Sequence, residues 1–429
     1  MKKFLSAVLL LCTLAFCVGP VSFADGLEVA APAAIMINLA TGDVVFEKDA
    51  DNKMYPASTT KIMTALLALE KGNLDDMITA SANAVNSIEV GSSSMGLLAG
   101  ETLSLKDLLY GLLVYSGNDA ANVIAEYVSG DIASFVTLMN DRAKELGCTG
   151  TSFINPNGLH DDNHFTTARD LSKIASEAMK NETFREIVKT TRYEIPANDK
   201  YKEQRNMPTT NFLITKGSKY YYSAAIGIKT GYTSSAKNCL VAAASLNGME
   251  FLTVVLGDSQ VDGDVLSFVD SKKMFEYAFS NYKLQTLVEE GTYLLEQPIK
   301  SASGSRFIKL MAKEDATAIM AADADLSKVE VKTIPDETIK APVVKGQVLG
   351  KAEYSYDGKV IATVDLVSDA DYKYSFFATV GQFFSGIFTS KWLYIGLGAL
   401  IIAIIIIRQI RYNKRQKRRP QNRRYGGRL

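Results

Sequence analysis

From Trp392 to Ile407 the chain runs for 16 residues without a charge and closes on Ile401-Ile402-Ala403-Ile404-Ile405-Ile406-Ile407. As a helix that run covers about 24 Å. Extended back through Ile387-Phe388-Thr389-Ser390-Lys391, with the lysine amine reaching for the interface, it matches the ~30 Å hydrocarbon core of a bilayer. The run has no polar face, which disfavours a helix lying in the membrane plane. We therefore read 387–408 as one transmembrane helix, with Trp392 and Tyr394 in the interfacial belt. From Arg408 to the end there are ten Lys or Arg and no Asp or Glu. That bias marks 409–429 as a basic cytoplasmic tail and places the body of the chain outside the cell. The formal net charge is zero, so with plus ten from Arg408 onward everything before Arg408 carries minus ten. Lys414-Arg415-Gln416-Lys417-Arg418-Arg419 resembles a nucleic-acid patch, but at this position it reads as a topological stop beside anionic lipid, and no nucleic-acid partner is expected.

The N-terminus fits the same export route. Lys2 and Lys3 precede an apolar stretch from Phe4 to Val18, and Ser22-Phe23-Ala24 offers small residues at the −3 and −1 positions. Residues 1–24 read as a signal peptide cleaved after Ala24. Acylation of Cys17 is disfavoured by bulky Phe16 before it. The expected location is the cell membrane, single-pass, with the folded body extracytoplasmic. Cys148 and Cys239 remain in the mature chain and read as buried small hydrophobes, although the sequence leaves their pairing open.

A chain of 429 residues calls for several structural units. Ala33–Asn38 and Val44–Glu47 read as a hairpin, and a helix is expected from about Ser58 to Lys71, apolar nearly all round and hence internal. Ser104-Leu105-Lys106-Asp107 looks like a capping box. Helices are expected over Asn118–Tyr127, over Ile132–Leu146 and after Thr167, with a loop over Asn155–Asp162. Strand patterns return at Ala225–Ile228, Cys239–Ala244 and Phe251–Leu256. Two β segments around a helical middle imply an α/β (α+β) domain whose sheet draws on both chain ends. Near 282 the pattern changes to period two, and Asp357-Gly358 marks a tight hairpin. The expected division is 25–282 for the first domain and 283–380 for a small β-rich domain.

Three short motifs carry chemistry. Ser58-Thr59-Thr60-Lys61 puts a serine and a lysine three apart on one helical face. A lysine buried near other cations loses its proton and becomes a base for the serine. Ser116-Gly117-Asn118 offers a hydroxyl and an amide. Lys229-Thr230-Gly231 offers a cation, a hydroxyl donor and a residue that lets a backbone approach closely. Each alone is a common surface pattern; their order and their intervals of 58 and 113 residues bring a helix, a loop and a strand to one cleft.

As a set the motifs resemble those of the serine penicillin-recognising enzymes, whose signature is S-x-x-K, S-D-N and K-T-G. Gly117 in the middle motif is similar to the low-molecular-mass D-alanyl-D-alanine carboxypeptidases. So are Tyr55–Thr64, Asn155–Leu159 with His164–Ala168, and Lys229–Thr233. The resemblance runs from about 28 to 280 and more loosely beyond. It implies a serine β-lactamase/transpeptidase-like domain that removes the terminal D-Ala of peptidoglycan stem pentapeptides through an acyl-enzyme, needs no cofactor, and is inhibited by β-lactams. By this resemblance Ser58 is the nucleophile, Lys61 the general base, and Ser116 the proton shuttle to the leaving amine. Asn118 orients the acyl amide, while Lys229 and Thr230 meet the substrate carboxylate. Gly231 and Tyr232 complete the binding strand, with the N–H groups of Ser58 and Tyr232 as oxyanion hole, each donor giving roughly 2.7–4 kcal/mol. Some relatives carry an arginine shortly before the K-T-G strand; the matching stretch here, Pro208–Leu213, has none.

Two alternatives stay open. A β-lactamase needs a carboxylate-held water, for which no candidate stands out. A non-catalytic wall-binding or scaffolding protein would rely on the β domain. His160 and His164, the only histidines, lie in a loop and read as loop contacts, so no metal is expected. No G-x-S-x-G elbow or phosphate-binding loop is present.

Overall fold

A computed structural model describes residues 26–381 and 391–416. The expected signal peptide, the first four residues of the expected span and most of the basic tail lie outside these. Two compact units result. The first runs to Leu284 and includes Ile319–Ala324, and the second comprises Gln285–Ala318 and the chain from Asp325 on.

The first unit is built on a five-stranded antiparallel sheet. Its strands are β1 (Ala33–Asn38), β2 (Val44–Lys48), β3 (Ala225–Thr233), β4 (Lys237–Leu246) and β5 (Met249–Asp258), in the order β2-β1-β5-β4-β3. Both chain ends of the unit thus meet in one sheet. Successive side chains of a strand point to opposite faces, and here both faces are covered. Val241 and Ala243 join the cluster that contains the central helices. Leu240, Ala242 and Ala244 join Phe268, Met274 and Phe275 on the other side. Burial on both faces explains why Cys239–Ala244 reads as an unbroken apolar run rather than an alternating one.

The helical middle contains α1 (Lys61–Lys71), α2 (Leu105–Leu113), α3 (Asn118–Ser129), α4 (Ile132–Glu145) and α5 (Ala168–Ala178), and the closing helix is α6 (Leu266–Asn281). Ser104 caps α2, since its hydroxyl accepts from the Asp107 N–H at 3.0 Å; the Asp107 carboxylate accepts from that hydroxyl, at 2.7 Å, rather than from the Ser104 N–H as in a full capping box. The helix expected from about Ser58 to Lys71 forms, and its first turn is 3₁₀. Ala57–Thr60 is a 3₁₀ turn, and the α-helix starts at Lys61. The cause is local. The Pro56 carbonyl accepts from both the N–H and the hydroxyl of Thr59, at 3.2 and 2.6 Å, and this i to i+3 closure tightens the first turn. From Lys61 to Ala68 every residue of α1 is buried.

The second unit is a six-stranded sheet. In chain order its strands are β6 (Tyr293–Lys300), β7 (Phe307–Ala312), β8 (Glu330–Pro335), β9 (Ile339–Lys340), β10 (Val348–Tyr356) and β11 (Lys359–Ser368). They lie in the order β8-β10-β11-β7-β6-β9, antiparallel except for the last pair. Asp357 and Gly358 both take positive φ, 48° and 77°, and join Tyr356 to Lys359 in the tight turn that the sequence predicts. Residues Lys391–Gln416 form one helix, within which Tyr394–Arg415 is long and apolar enough to cross a bilayer.

Candidate active site

The three motifs meet. Lys61 Nζ lies 2.8 Å from Ser58 Oγ, 2.7 Å from Asn118 Oδ1 and 2.6 Å from the carbonyl of Asn157. Lys61 is 0% exposed. Burial, and next the charge of Lys229, hold its ammonium well below the usual lysine range, with Asp119 opposing. A neutral amine has two N–H donors and one lone pair. In that neutral form the two carbonyl acceptors, Asn118 Oδ1 and Asn157 O, would take the donors and the lone pair would face the Ser58 hydroxyl.

Backbone geometry presents the serine. Ala57, just before it, has φ 49°, and Ser116 has φ 72°. Left-handed conformations at residues other than glycine cost of order 1–3 kcal/mol and persist only where the surroundings enforce them. Gly158 (φ 86°) is one of those surroundings, because a Cβ there would stand 1.9 Å from the Ala57 carbonyl oxygen. Gly231 is another, since its Cβ would approach the Ser58 nitrogen to 3.0 Å. Strand β3 therefore passes directly against the turn that carries Ser58. As an edge strand it leaves half its amides and carbonyls unused by the sheet and open to an extended ligand.

Lys229, Thr230, Gly231 and Tyr232 all lie within β3, which continues past Ile228 to Thr233. Lys229 is 1% exposed and donates to the Thr230 carbonyl at 2.9 Å. Burial drops its ammonium to about 7. Thr230 Oγ1 is 2.6 Å from Thr210 Oγ1. Thr210 belongs to the stretch that carries no arginine. A cleft of about 420 Å³ joins these groups. Its lining includes Ser58, Ser116, Asn118, Thr210, Phe212, Thr230, Gly231 and Tyr232.

Sequence reasoning passed over several supporting residues. Asp119, fully buried, accepts from Ser94 Oγ at 2.6 Å and from the N–H groups of Met95 and Leu97 at 3.0 Å each. The Asn118 N–H donates to the Ser93 carbonyl at 2.9 Å. The loop with Ser92 and Ser93 is thereby tied to the first turn of α3 and forms one side of the cleft. A buried pair backs that loop. Arg205 reaches both Glu101 oxygens, at 2.6 and 2.7 Å, and donates to the carbonyls of Met95 and Gly96. Burial raises the Glu101 carboxyl, but the bonds from Arg205, Asn198 and the Leu98 amide together hold it below its usual range. Asn157 acts through its backbone and is fixed by its side-chain bond to Asn122 at 3.1 Å.

The two histidines serve the loop. His164 Nδ1 accepts the Ile154 N–H at 3.2 Å, so Nε2 carries the proton and donates to Thr60 Oγ1 at 2.8 Å. Burial pushes its imidazole down to about 4. His160 packs edge-on against Tyr55. Cys148 and Cys239 are separate buried thiols, both pushed up to about 12 by burial.

Comparison with known proteins fits this geometry. Residues 21–260 match the family described as D-alanyl-D-alanine carboxypeptidase, and 282–374 match the penicillin-binding protein 5 C-terminal domain. The chain is 33% identical to the D-alanyl-D-alanine carboxypeptidase DacF of Bacillus subtilis, over 88% of this chain and 97% of that one. It is 30% identical to DacC of Escherichia coli, over 82% and 88%. Among solved structures, penicillin binding protein 5 of Haemophilus influenzae matches with TM-score 0.61 at 30% identity, covering 81% of this chain and 98% of that one.

Proposed function

Since the chain belongs to the D-alanyl-D-alanine carboxypeptidase family, and is thus a serine-type carboxypeptidase of the bacterial cell wall, we propose that it cleaves the terminal D-Ala from stem pentapeptides through an acyl-enzyme at Ser58. The observation that carries this reading is the Lys61 amine, 2.8 Å from Ser58 Oγ with two carbonyl acceptors for its N–H groups. Lys61 takes the hydroxyl proton as Ser58 Oγ attacks the penultimate carbonyl. The N–H groups of Ser58 and Tyr232 hold the oxyanion, Ser116 passes the proton to the departing amine, and Asn118 orients the acyl amide. Thr230, with Lys229 behind it, binds the leaving carboxylate. Water then releases the acyl chain.

β-Lactams mimic the scissile bond and acylate the same serine. No Asp or Glu is among the described residues lining the cleft, so a carboxylate-held water for fast deacylation has no holder, and the β-lactam adduct should persist. The helix Lys391–Gln416 spans the membrane once, with the basic tail in the cytoplasm and the domains 25–282 and 283–380 outside. Intact-mass analysis of the detergent-solubilised chain with benzylpenicillin tests the reading. A single adduct that maps to Ser58 and is lost in Ser58→Ala is expected; no adduct on folded protein overturns the proposal.

A further inference from the structure

One wall of the cleft is built for something other than a small charged product. Thr210, 2.6 Å from Thr230, donates its N–H to the Val114 carbonyl at 3.3 Å. The turn after it is closed by Asn211, whose N–H donates to Thr209 Oγ1 and whose Oδ1 accepts from the Leu213 N–H. Leu213 in turn accepts from the Tyr222 N–H through its carbonyl. This fixed turn holds Phe212 on the cleft wall with 45% of its surface exposed. Its ring lies 5.7 Å from that of Phe268, which stacks at 5.0 Å on Tyr220. Val265 and Ser267 line the cleft beside them, and no described lining residue carries a formal charge. Apolar surface left in water forfeits roughly 25 cal/mol per Å² of burial. A half-bare phenylalanine backed by a rigid aromatic cluster, on the wall that also carries Thr210 and Thr230, is therefore a surface that gains from being covered by substrate.

We propose that Phe212, backed by Phe268 and Val265, is the specificity-determining wall for the side chain of the departing C-terminal residue, and that the enzyme accepts peptides ending in a large apolar D-amino acid at least as well as those ending in D-Ala. The proposal rests on the acyl-serine reading above, with Thr230 and Thr210 holding the carboxylate while the wall receives the side chain.

The test uses the detergent-solubilised full chain and two N-acylated tripeptides, L-Lys-D-Ala-D-Phe and L-Lys-D-Ala-D-Ala. The readout is the ratio of their kcat/KM values, which cancels any loss of folded protein. A ratio of about one or more is expected, and Phe212→Ala should lower it ~10-fold, within what a hydrophobic pocket can discriminate. Phe212→Leu should lower it less. A chain that releases D-Ala but gives a ratio below ~0.1, or a Phe212→Ala variant with an unchanged ratio, overturns the inference while leaving the acyl-serine reading intact. A chain that cleaves neither peptide and takes no benzylpenicillin adduct at Ser58 overturns both.

Discussion

The catalytic unit and the β unit obey different rules of burial. In the β unit the core is Ile299, Ile308, Leu310, Leu349, Val364, Leu366 and their neighbours. No Asp, Glu, Lys or Arg is buried among its described residues; the buried polar side-chain groups there are the hydroxyls of Ser301, Ser368 and Tyr354. The catalytic unit buries Lys61, Lys229, Glu101, Asp119, Asp170, Arg205, Asp258 and Asp270. Desolvating so many ionisable groups is unfavourable unless each is neutralised or paired. Two of them, Lys61 and Lys229, are held down in pKa by burial; Glu101 and Arg205 are paired; Asp119 spends its oxygens on the Ser94 hydroxyl and on backbone N–H groups. Part of what distinguishes the two units is the site around Ser58, which holds Lys61 and Lys229 away from water; Asp170, Asp258 and Asp270 are buried in the same unit and take no part in the proposed chemistry.

The largest break in this contrast comes from Lys61→Met. Removing the proposed base should slow acylation of Ser58 by benzylpenicillin by ~10²–10⁴-fold, read by stopped-flow or quenched mass spectrometry, since that is the range general-base catalysis supplies. Next is Glu101→Gln, which leaves the Arg205 guanidinium buried without its counter-charge. Chemical denaturation should show a loss of about 3–5 kcal/mol, together with slower acylation, because the Met95–Gly96 loop loses its backing. The matching change in the other unit is Leu310→Ala. It should lower the stability of the β unit by about 2–5 kcal/mol and leave Ser58 acylation unchanged. If acylation slowed in parallel, the two units would not be energetically separate.

A smaller effect separates the two lysines from ordinary surface charges. Lys229 falls from its ordinary 10.5 to about 7 in the folded protein. Between those values the unfolded chain holds a proton that the folded chain has released, so this group makes stability rise with pH across that window. Below about 7 both states are protonated and the full cost of burying the charge remains. Lys229→Met removes that slope. Its stability relative to the unaltered chain should be greatest near pH 7, and the gap should narrow by pH 9.5 in parallel denaturation curves. Lys61 adds a slope of the same sign to both proteins, smaller in Lys229→Met because the Lys229 charge is part of what lowers the Lys61 ammonium, so the gap narrows with pH for both reasons. A gap that stays constant with pH would mean that Lys229 keeps its proton when folded.

Much of the molecule was legible because the relevant physics is local. Ser58 and Lys61 are three residues apart, and the geometry of a helical turn suffices to put them on one face. Asp357-Gly358 announces its hairpin because few other dipeptides take two positive φ values. What stayed illegible is of two kinds. Asn157 contributes a carbonyl, and every residue has one, so nothing in its side chain marks it as a partner of Lys61 from 96 positions away. Asp119 and the Glu101–Arg205 pair carry no mark in the sequence, since burial is a property of what packs over them. The same holds for Thr210, whose pairing with Thr230 depends on a turn folding against β3.

The sequence by itself determined the order of the parts: an apolar segment that must be shielded from water, a basic end, a helical middle between strands, and three motifs with the donors and acceptors for acyl transfer. These follow from composition and short-range periodicity, which act over a few residues. Only the tertiary structure decided the lowered pKa values of the Lys61 and Lys229 ammonium groups, the strained presentation of Ser58 and Ser116, and the aromatic wall at Phe212. Those depend on desolvation and on close approach of segments far apart in the chain, and both arise only once the sheet and helices have closed over the site.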